Sequence, residues 1–307
     1  LVGRRHELAL LDRHLSGQGP PLLLLAGEPG IGKSRLLQEA ACRAAERGWQ
    51  VLQGGCSRRG SQEPYAPLLG ALERYLRRRD PIHLRAELHG CAWLVRLLPD
   101  LAEGPIEPLP AWSLTPDQER HLMFRALVRF LTNVAVPGGT LLVLDDLQWA
   151  GSDALDLLTV LARAPADVPL RLVGAYRDTE VQPEDALSVS LADLARERLV
   201  VQRMLAPLAP EEAARLLDDL LAGADAAVVT PPQRAQVLRR TGGVPFFLVS
   251  CAERLRQGDL AGSRTVRTRL WDEVPWDVTQ SIRQRIADLP RVGRDVLGTA
   301  AVIGRVV

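Results

Sequence analysis

Residues 22–37 read LLLLAGEPGIGKSRLL. Five apolar residues flanked by proline and glycine have the length of a short buried strand. After Gly32 the pattern turns helical, with Leu36, Leu37, Ala40, Ala41 and Ala44 on one face of a helix predicted over residues 33–47. The turn between them, Gly27-x-x-x-x-Gly32-Lys33-Ser34, has the spacing of a P-loop and lies between strand and helix, as that motif requires. Glycines let backbone N–H groups approach a phosphate chain with no Cβ in the way, and the helix start adds partial positive charge. Lys33 is the only lysine of the chain; the other 37 of its 38 basic residues are arginines. An ammonium is a compact charge on a thin stem, and it fits inside a curled loop where a planar guanidinium would not. The motif predicts that Lys33 reaches the β- and γ-phosphates of a bound nucleotide while the Ser34 hydroxyl helps to hold Mg2+.

Working outward, WQVLQGG (49–55), TLLVLDD (140–146), LRLVGAYR (170–177) and RLVVQRML (198–205) read as four more strands. Strands that alternate with helices and are apolar on both faces predict an α/β fold with a five-stranded parallel sheet covered on both sides. A mostly helical insertion over about 64–135 is interrupted by a proline-rich linker at 99–116. After residue 205 the strands stop. PEEAARLLDDLLAG, PPQRAQVLRRTGG and PFFLVSCAERLRQG follow as three short helices, and a final helical pair follows a tryptophan-bearing linker. The expected division is a core at 1–205, a helical lid at 206–273 and a truncated further domain at 274–307.

A P-loop needs a metal partner, and the strand 140–146 ends in two carboxylates. Asp145 is expected to hold Mg2+ through water. Asp146 is placed to polarise an attacking water as general base. Helix capping, the structural alternative, suits Asp153 better because it directly precedes ALDLL. Arg177 ends another strand, and strand carboxyl ends line the ligand crevice of such sheets. It is read as sensing or stabilising the γ-phosphate, or otherwise as a surface salt bridge with Asp178 or Glu180. Taken by itself, TGGVPFF (241–247) is a helix stop followed by a helix start with Pro245 in the first turn.

The composition is that of a globular protein, 47% hydrophobic and 24% charged. A formal net charge of +1 gives no bulk-charge case for nucleic acid or membrane binding. The run Leu22 to Ala26 is too short to span a bilayer, and no charged segment precedes an apolar one in the manner of a signal peptide. Cysteines 42, 56, 91 and 251 form no CxxC pair and no histidine cluster accompanies them, so neither a disulfide framework nor a zinc site is expected. They read as reduced side chains in a cytoplasmic protein. The chain begins at Leu1 and is expected to be a piece of something longer.

Five stretches, LVGRRHEL, GEPGIGKSRLL, LLVLDDLQWAGSDALDLL, RLVGAYRDTEV and TGGVPFFL, occur in the order seen in STAND-type ATPases, a branch of the AAA+ superfamily. Together they most resemble the ATPase module of the large ATP-binding LuxR-type transcriptional regulators related to the maltose regulator of enteric bacteria. The resemblance implies that Val2, Gly3 and Arg4 flank the adenine of ATP or ADP. It implies that Gly27, Gly30, Ile31, Gly32, Lys33, Ser34 and Arg35 hold the phosphates, mainly through backbone. Asp145 would serve Mg2+, Asp146 hydrolysis, and Arg177 the γ-phosphate as a sensor. Pro245 would touch the base from the helical lid, and the segment from about 274 would begin a winged-helix domain. The family usually has His at the position of Gln148, Asp at Gly151 and Asn at Val244. Gln148 can orient a water but cannot carry a proton away, so hydrolysis is expected to be slow.

The resemblance implies a regulatory switch: Mg-ATP between core and lid, slow turnover to ADP, and ATP-dependent self-association. Sensor and DNA-binding domains of the same protein would lie beyond residue 307, with no direct DNA or membrane binding by this piece. Two alternatives are an AAA+ motor turning over in an oligomeric ring, for which no aromatic-glycine pore loop is evident, and a nucleotide-held scaffold without useful hydrolysis.

Overall fold

The leucine run before the P-loop forms β1 (Leu22–Ala26), in which all five residues are buried. A strand without a polar side chain is stable only where both sheet faces are covered. β1 sits inside a five-stranded parallel sheet with β2 (Gln50–Gly55), β3 (Thr140–Asp145), β4 (Leu170–Tyr176) and β5 (Val200–Met204), in the order β2-β3-β4-β1-β5. In this computed structural model the described residues are 1–57, 64–104, 106, 108–109, 113–135, 138–165, 167–222, 229–260, 283, 286, 289 and 291–303.

Alternation along the strands divides the core into two faces. Leu22, Leu24, Leu142, Leu144 and Leu172 point to one cluster; Leu23, Leu25, Leu141, Val143 and Val173 point to the other. The second face is covered by α1 (Arg5–Leu15) and α2 (Lys33–Glu46), through Leu11, Leu15, Leu36, Ala40 and Ala44. The first face is covered by α3 (Ala66–Leu76), α5 (Pro116–Asn133), α6 (Ser152–Ala162) and α7 (Ala186–Arg196). Each buried leucine stabilises the fold by roughly 1.5–3 kcal/mol.

Between β2 and β3 the chain runs through α3, a short α4 (Pro81–Glu87), two 3-10 turns and α5. One of those turns, Pro99–Glu103, lies in the proline-rich linker. α5 opens at Pro116 behind a capping box, in which Thr115 and Gln118 satisfy each other's backbone N–H groups. Two features differ from the sequence reading. α7 was not anticipated: only Leu187, Leu191 and Leu194 are buried in it, and Ser188, Val189 and Ser190 are weak helix formers. α6 starts two residues earlier than an Asp153 cap would place it, with Gly151 at the N-cap, so Asp153 lies in the first turn and complements the helix dipole instead of capping.

The chain divides into two compact units, Arg4–Leu205 and Leu1–Gly3 with Ala206–Val307. The second is helical. α8 (Pro210–Leu221), α9 (Pro231–Thr241) and α10 (Pro245–Leu260) enclose Leu208, Ala213, Leu217, Val237, Leu248 and Ala252. Gly242 ends α9 in the left-handed conformation, and Pro245 occupies the first turn of α10. A further helix spans Arg291–Ile303; most of the rest of the expected winged-helix start at 274–307 lies outside the described residues. Among the described residues no helix is long and apolar enough to cross a membrane.

Candidate functional site

Parallel strands send all their carboxyl ends to one edge, so the loops after β1, β3 and β4 share it. β4 lies between β1 and β3, which brings the P-loop, the two carboxylates and Arg177 to neighbouring strand ends.

The loop after β1 curls because Gly32, the N-cap of α2, has φ of +104°, a conformation that a side chain would strain. Lys33 follows as the first helical residue and is only 6% exposed. Its Nζ donates to the carbonyls of Gly27 at 2.7 Å and Glu28 at 2.9 Å. Burial pushes its pKa down, the Arg177 charge pushes the same way, and Asp145, Asp146 and Asp178 push it up. Ser34 and Arg35 are exposed in the first turn. Arg4, buried, braces the loop from behind: its guanidinium donates to the Ile31 carbonyl at 2.8 Å. Val2, Gly3 and Pro245 belong to the other unit.

β3 ends at Asp145, whose Oδ1 accepts the Asp146 N–H at 2.8 Å. Asp146 itself has φ of +55°, the left-handed region that Asp tolerates better than most residues. A 3-10 turn, Leu147–Trp149, follows. Leu147 anchors this turn because β4 has a glycine beneath it: a Cβ at Gly174 would come within 2.7 Å of the Leu147 side chain. The turn carries Gln148, which joins two strand ends. Its Nε2 donates to Asp146 Oδ1 at 2.9 Å, and its Oε1 accepts the Arg177 N–H at 3.0 Å. The Arg177 side chain pairs with Glu180 at 2.8 Å and with Asp146 at 3.3 Å, and lies over the Trp149 ring 4.7 Å from its centroid. Of the two salt bridges the sequence offered, Glu180 forms one.

The structure therefore brings Lys33, Asp145, Asp146 and Arg177 together, and adds Gln148, Trp149 and Asp178. Sequence reasoning weighed Gln148 only as a departure and Asp178 only as an ion-pair partner. Asp178 Oδ1 is buried with no hydrogen-bond partner among the described residues. Cys56, whose N–H donates to the Asp145 carbonyl, is no nucleophile here: burial and the two aspartates push its thiol up to about 12. Among the described residues no three His, Cys, Asp or Glu side chains are grouped to hold a metal. A magnesium ion needs no such cage, because it keeps several waters and uses one or two protein ligands with phosphate oxygens. The Ser34 hydroxyl and the Asp145 carboxylate are donors of that kind.

Residues 1–173, from before the P-loop to within β4, match the AAA ATPase domain. The chain belongs to that family. An uncharacterized protein of Rhizobium meliloti (strain 1021) is 26% identical over 275 residues, which make up 81% of this chain and 24% of that protein. The chain thus spans about a quarter of the length of the curated relative it matches. Among solved structures, a RuvB mutant of Thermotoga maritima is similar with a TM-score of 0.47 and 17% identity, over 96% of this chain and 73% of that one. AMPPCP-bound DnaA from Aquifex aeolicus is similar with a TM-score of 0.48 and 15% identity, over 87% of this chain and 66% of that one. In the AAA ATPase domain described here, the matched span holds Lys33, Asp145 and Asp146, while Arg177 lies just past its end.

Proposed function

We propose that this AAA ATPase domain binds Mg-ATP at its P-loop and hydrolyses it slowly, as the regulatory switch of a larger signal-transduction or transcriptional regulator. The observation that carries the reading is Lys33, buried in the curl of the loop under the opposing influence of Asp145, Asp146 and Asp178. Its ammonium, now on the Gly27 and Glu28 carbonyls, would turn to the β- and γ-phosphates, with the backbone N–H groups of Gly30 to Ser34 around them. Ser34 and Asp145 would hold Mg2+, which neutralises charge on the phosphate oxygens.

Hydrolysis adds water to the γ-phosphorus and breaks its bond to the β-phosphate oxygen, giving ADP and phosphate. Asp146 accepts the water's proton. Gln148 holds Asp146 Oδ1 and so fixes the base, but its amide cannot take the proton onward. That stop in the relay supports slow turnover. Arg177 is already paired with Asp146 and Glu180, and it would exchange those partners for the γ-phosphate. Loss of that phosphate on hydrolysis would return it. Val2, Gly3 and Pro245 as contacts to adenine, the lid role of 206–273, ATP-dependent self-association, and sensor and DNA-binding domains elsewhere in the protein belong to the same proposal.

The energy available is sufficient. ATP at a thousandfold its dissociation constant stabilises the binding-competent state by about 4 kcal/mol, which shifts a two-state equilibrium by about a thousandfold. Hydrogen exchange of the empty, ATP-loaded and ADP-loaded chain tests the switch. The ATP and ADP states are expected to differ in protection beyond the P-loop, in α8 and α10. Identical profiles for ATP and ADP would remove the switch and leave a scaffold.

A further inference from the structure

An open cleft of about 640 Å3, lined by both apolar and polar side chains, lies between α2, the edge strand β2 and α3. Neither Lys33 nor any of the carboxylates described above lines it. Its walls carry four guanidinium groups, from Arg35, Arg74, Arg78 and Arg79, and among the described residues no carboxylate. Three nearby acids are engaged: Glu39 with Arg43 at 2.9 Å, Glu73 with Arg77 at 3.1 Å, and Glu87 with Arg79 at 2.6 Å. Arg79 is therefore neutralised. Arg35, Arg74 and Arg78 make no ion pair among the described residues; Arg74 donates to the Gly70 carbonyl and Arg35 to Gln38 Oε1.

The backbone beneath the cleft is closely packed. A Cβ at Gly54 would collide with the Pro67 carbonyl, so the α3 backbone lies directly on β2. Leu52, Ala71 and Tyr75, all buried, form an apolar floor. Gln38, Gln50 and Gln53 add amides that donate and accept. Three unneutralised cations around one concavity attract anions. The guanidinium fork matches two oxygens of a phosphate better than a lone ammonium does. The volume falls within the range of small-molecule sites, about 300–1,000 Å3.

We propose that this cleft binds a soluble phosphorylated small molecule carrying at least two negative charges. Arg74 and Arg78 take the phosphoryl oxygens from the α3 side, Arg35 faces them from α2, and the glutamines meet hydroxyl or amide groups on the body of the ligand. The proposal does not rest on nucleotide binding at the P-loop; of Arg35, whose backbone is assigned to the phosphate loop above, it uses only the side chain.

Cys42, exposed and lining the cleft, is a built-in reporter. The test measures maleimide alkylation of Cys42 by peptide mass spectrometry while inorganic pyrophosphate is titrated. It uses the unaltered chain, Lys33→Ala, the double variant Arg74→Ala with Arg78→Ala, and the double variant Arg74→Lys with Arg78→Lys. Pyrophosphate is expected to protect Cys42 in the unaltered chain and equally in Lys33→Ala. The alanine pair should weaken that protection about tenfold or more, and the lysine pair by less, because charge remains while the fork is lost. The lysine pair decides the matter if the alanine pair does not fold. Absence of protection, protection lost in Lys33→Ala, or protection unchanged in both arginine variants would overturn the proposal. Protection by phosphatidic acid vesicles with none by pyrophosphate would move the site to a lipid surface and overturn it too.

Discussion

Near the amino ends of the strands His14 and Arg171 are bound to main-chain carbonyls, whereas at the carboxyl ends Lys33, Asp145, Asp146 and Arg177 stand near one another. His14 is 2% exposed and bonds the Leu172 carbonyl at 3.1 Å through Nε2. Arg171 donates to the carbonyls of Gly17, Gly19 and Pro20, and so ties the loop before β1 to β4. Each of these groups is bonded to main-chain carbonyls of the fold. At the other end Arg177 is shared between Asp146 and Glu180, and Asp178 Oδ1 has no hydrogen-bond partner among the described residues. Loss of a group at the satisfied end costs stability. Under the proposed function, loss at the carboxyl end costs nucleotide binding or turnover instead.

Substitutions at the two ends can break or sharpen this contrast. The largest effect is expected from Lys33→Ala, which abolishes measurable ATP binding; isothermal titration checks it, and wild-type affinity would mean that the P-loop is not the site. Next, Asp146→Asn keeps ATP affinity and lowers turnover by about a hundredfold to ten-thousandfold, the usual range for a general base; phosphate release against ATP concentration reads both.

At the opposite end the prediction concerns pH. Burial lowers the His14 pKa from 6.5 to about 4, with the Arg171 charge acting the same way and the Leu172 carbonyl opposing. Between those values the unfolded chain takes up a proton that the folded chain refuses. Stability is therefore complete above about pH 6.5 and falls as the pH drops towards 4, by about 3 kcal/mol in all. His14→Gln, which keeps a donor without a titration, should flatten that part of the denaturation curve; an unchanged acid slope would contradict the assignment. The smallest effect is expected from Gln148→Ala. It frees Asp146 from one hydrogen bond worth about 1 kcal/mol, so turnover should fall only several-fold with ATP affinity unaltered, as steady-state kinetics would show.

Much of this was legible in the sequence because the signals are local. β1, β3 and β4 are apolar runs with clear ends, and the P-loop carries its own spacing. Asp145 and Asp146 follow from the end of a strand. What was not legible depends on strand order. Gln148 reaches Arg177 only because β3 and β4 are neighbours, and nothing in the residues between them encodes that adjacency. Gly174 was invisible for the same reason: its role is to admit Leu147 from the next strand's loop. α7 failed differently, since three buried leucines in eleven residues are too thin a stripe to outweigh two serines and a valine. The arginines of the β2–α3 cleft were lost in abundance; with 37 in the chain, only the ion pairs show that, of the four in the cleft, Arg79 has a counter-charge among the described residues and the other three do not.

The measurement that tests the central claim most directly is ATP turnover by the purified chain, with ATP binding determined on the same sample over a range of protein concentrations. The account predicts clear binding with slow turnover, consistent with a base at Asp146 whose neighbour Gln148 cannot relay its proton. Rapid turnover that rises with protein concentration would contradict it and would describe an assembling motor instead of a switch.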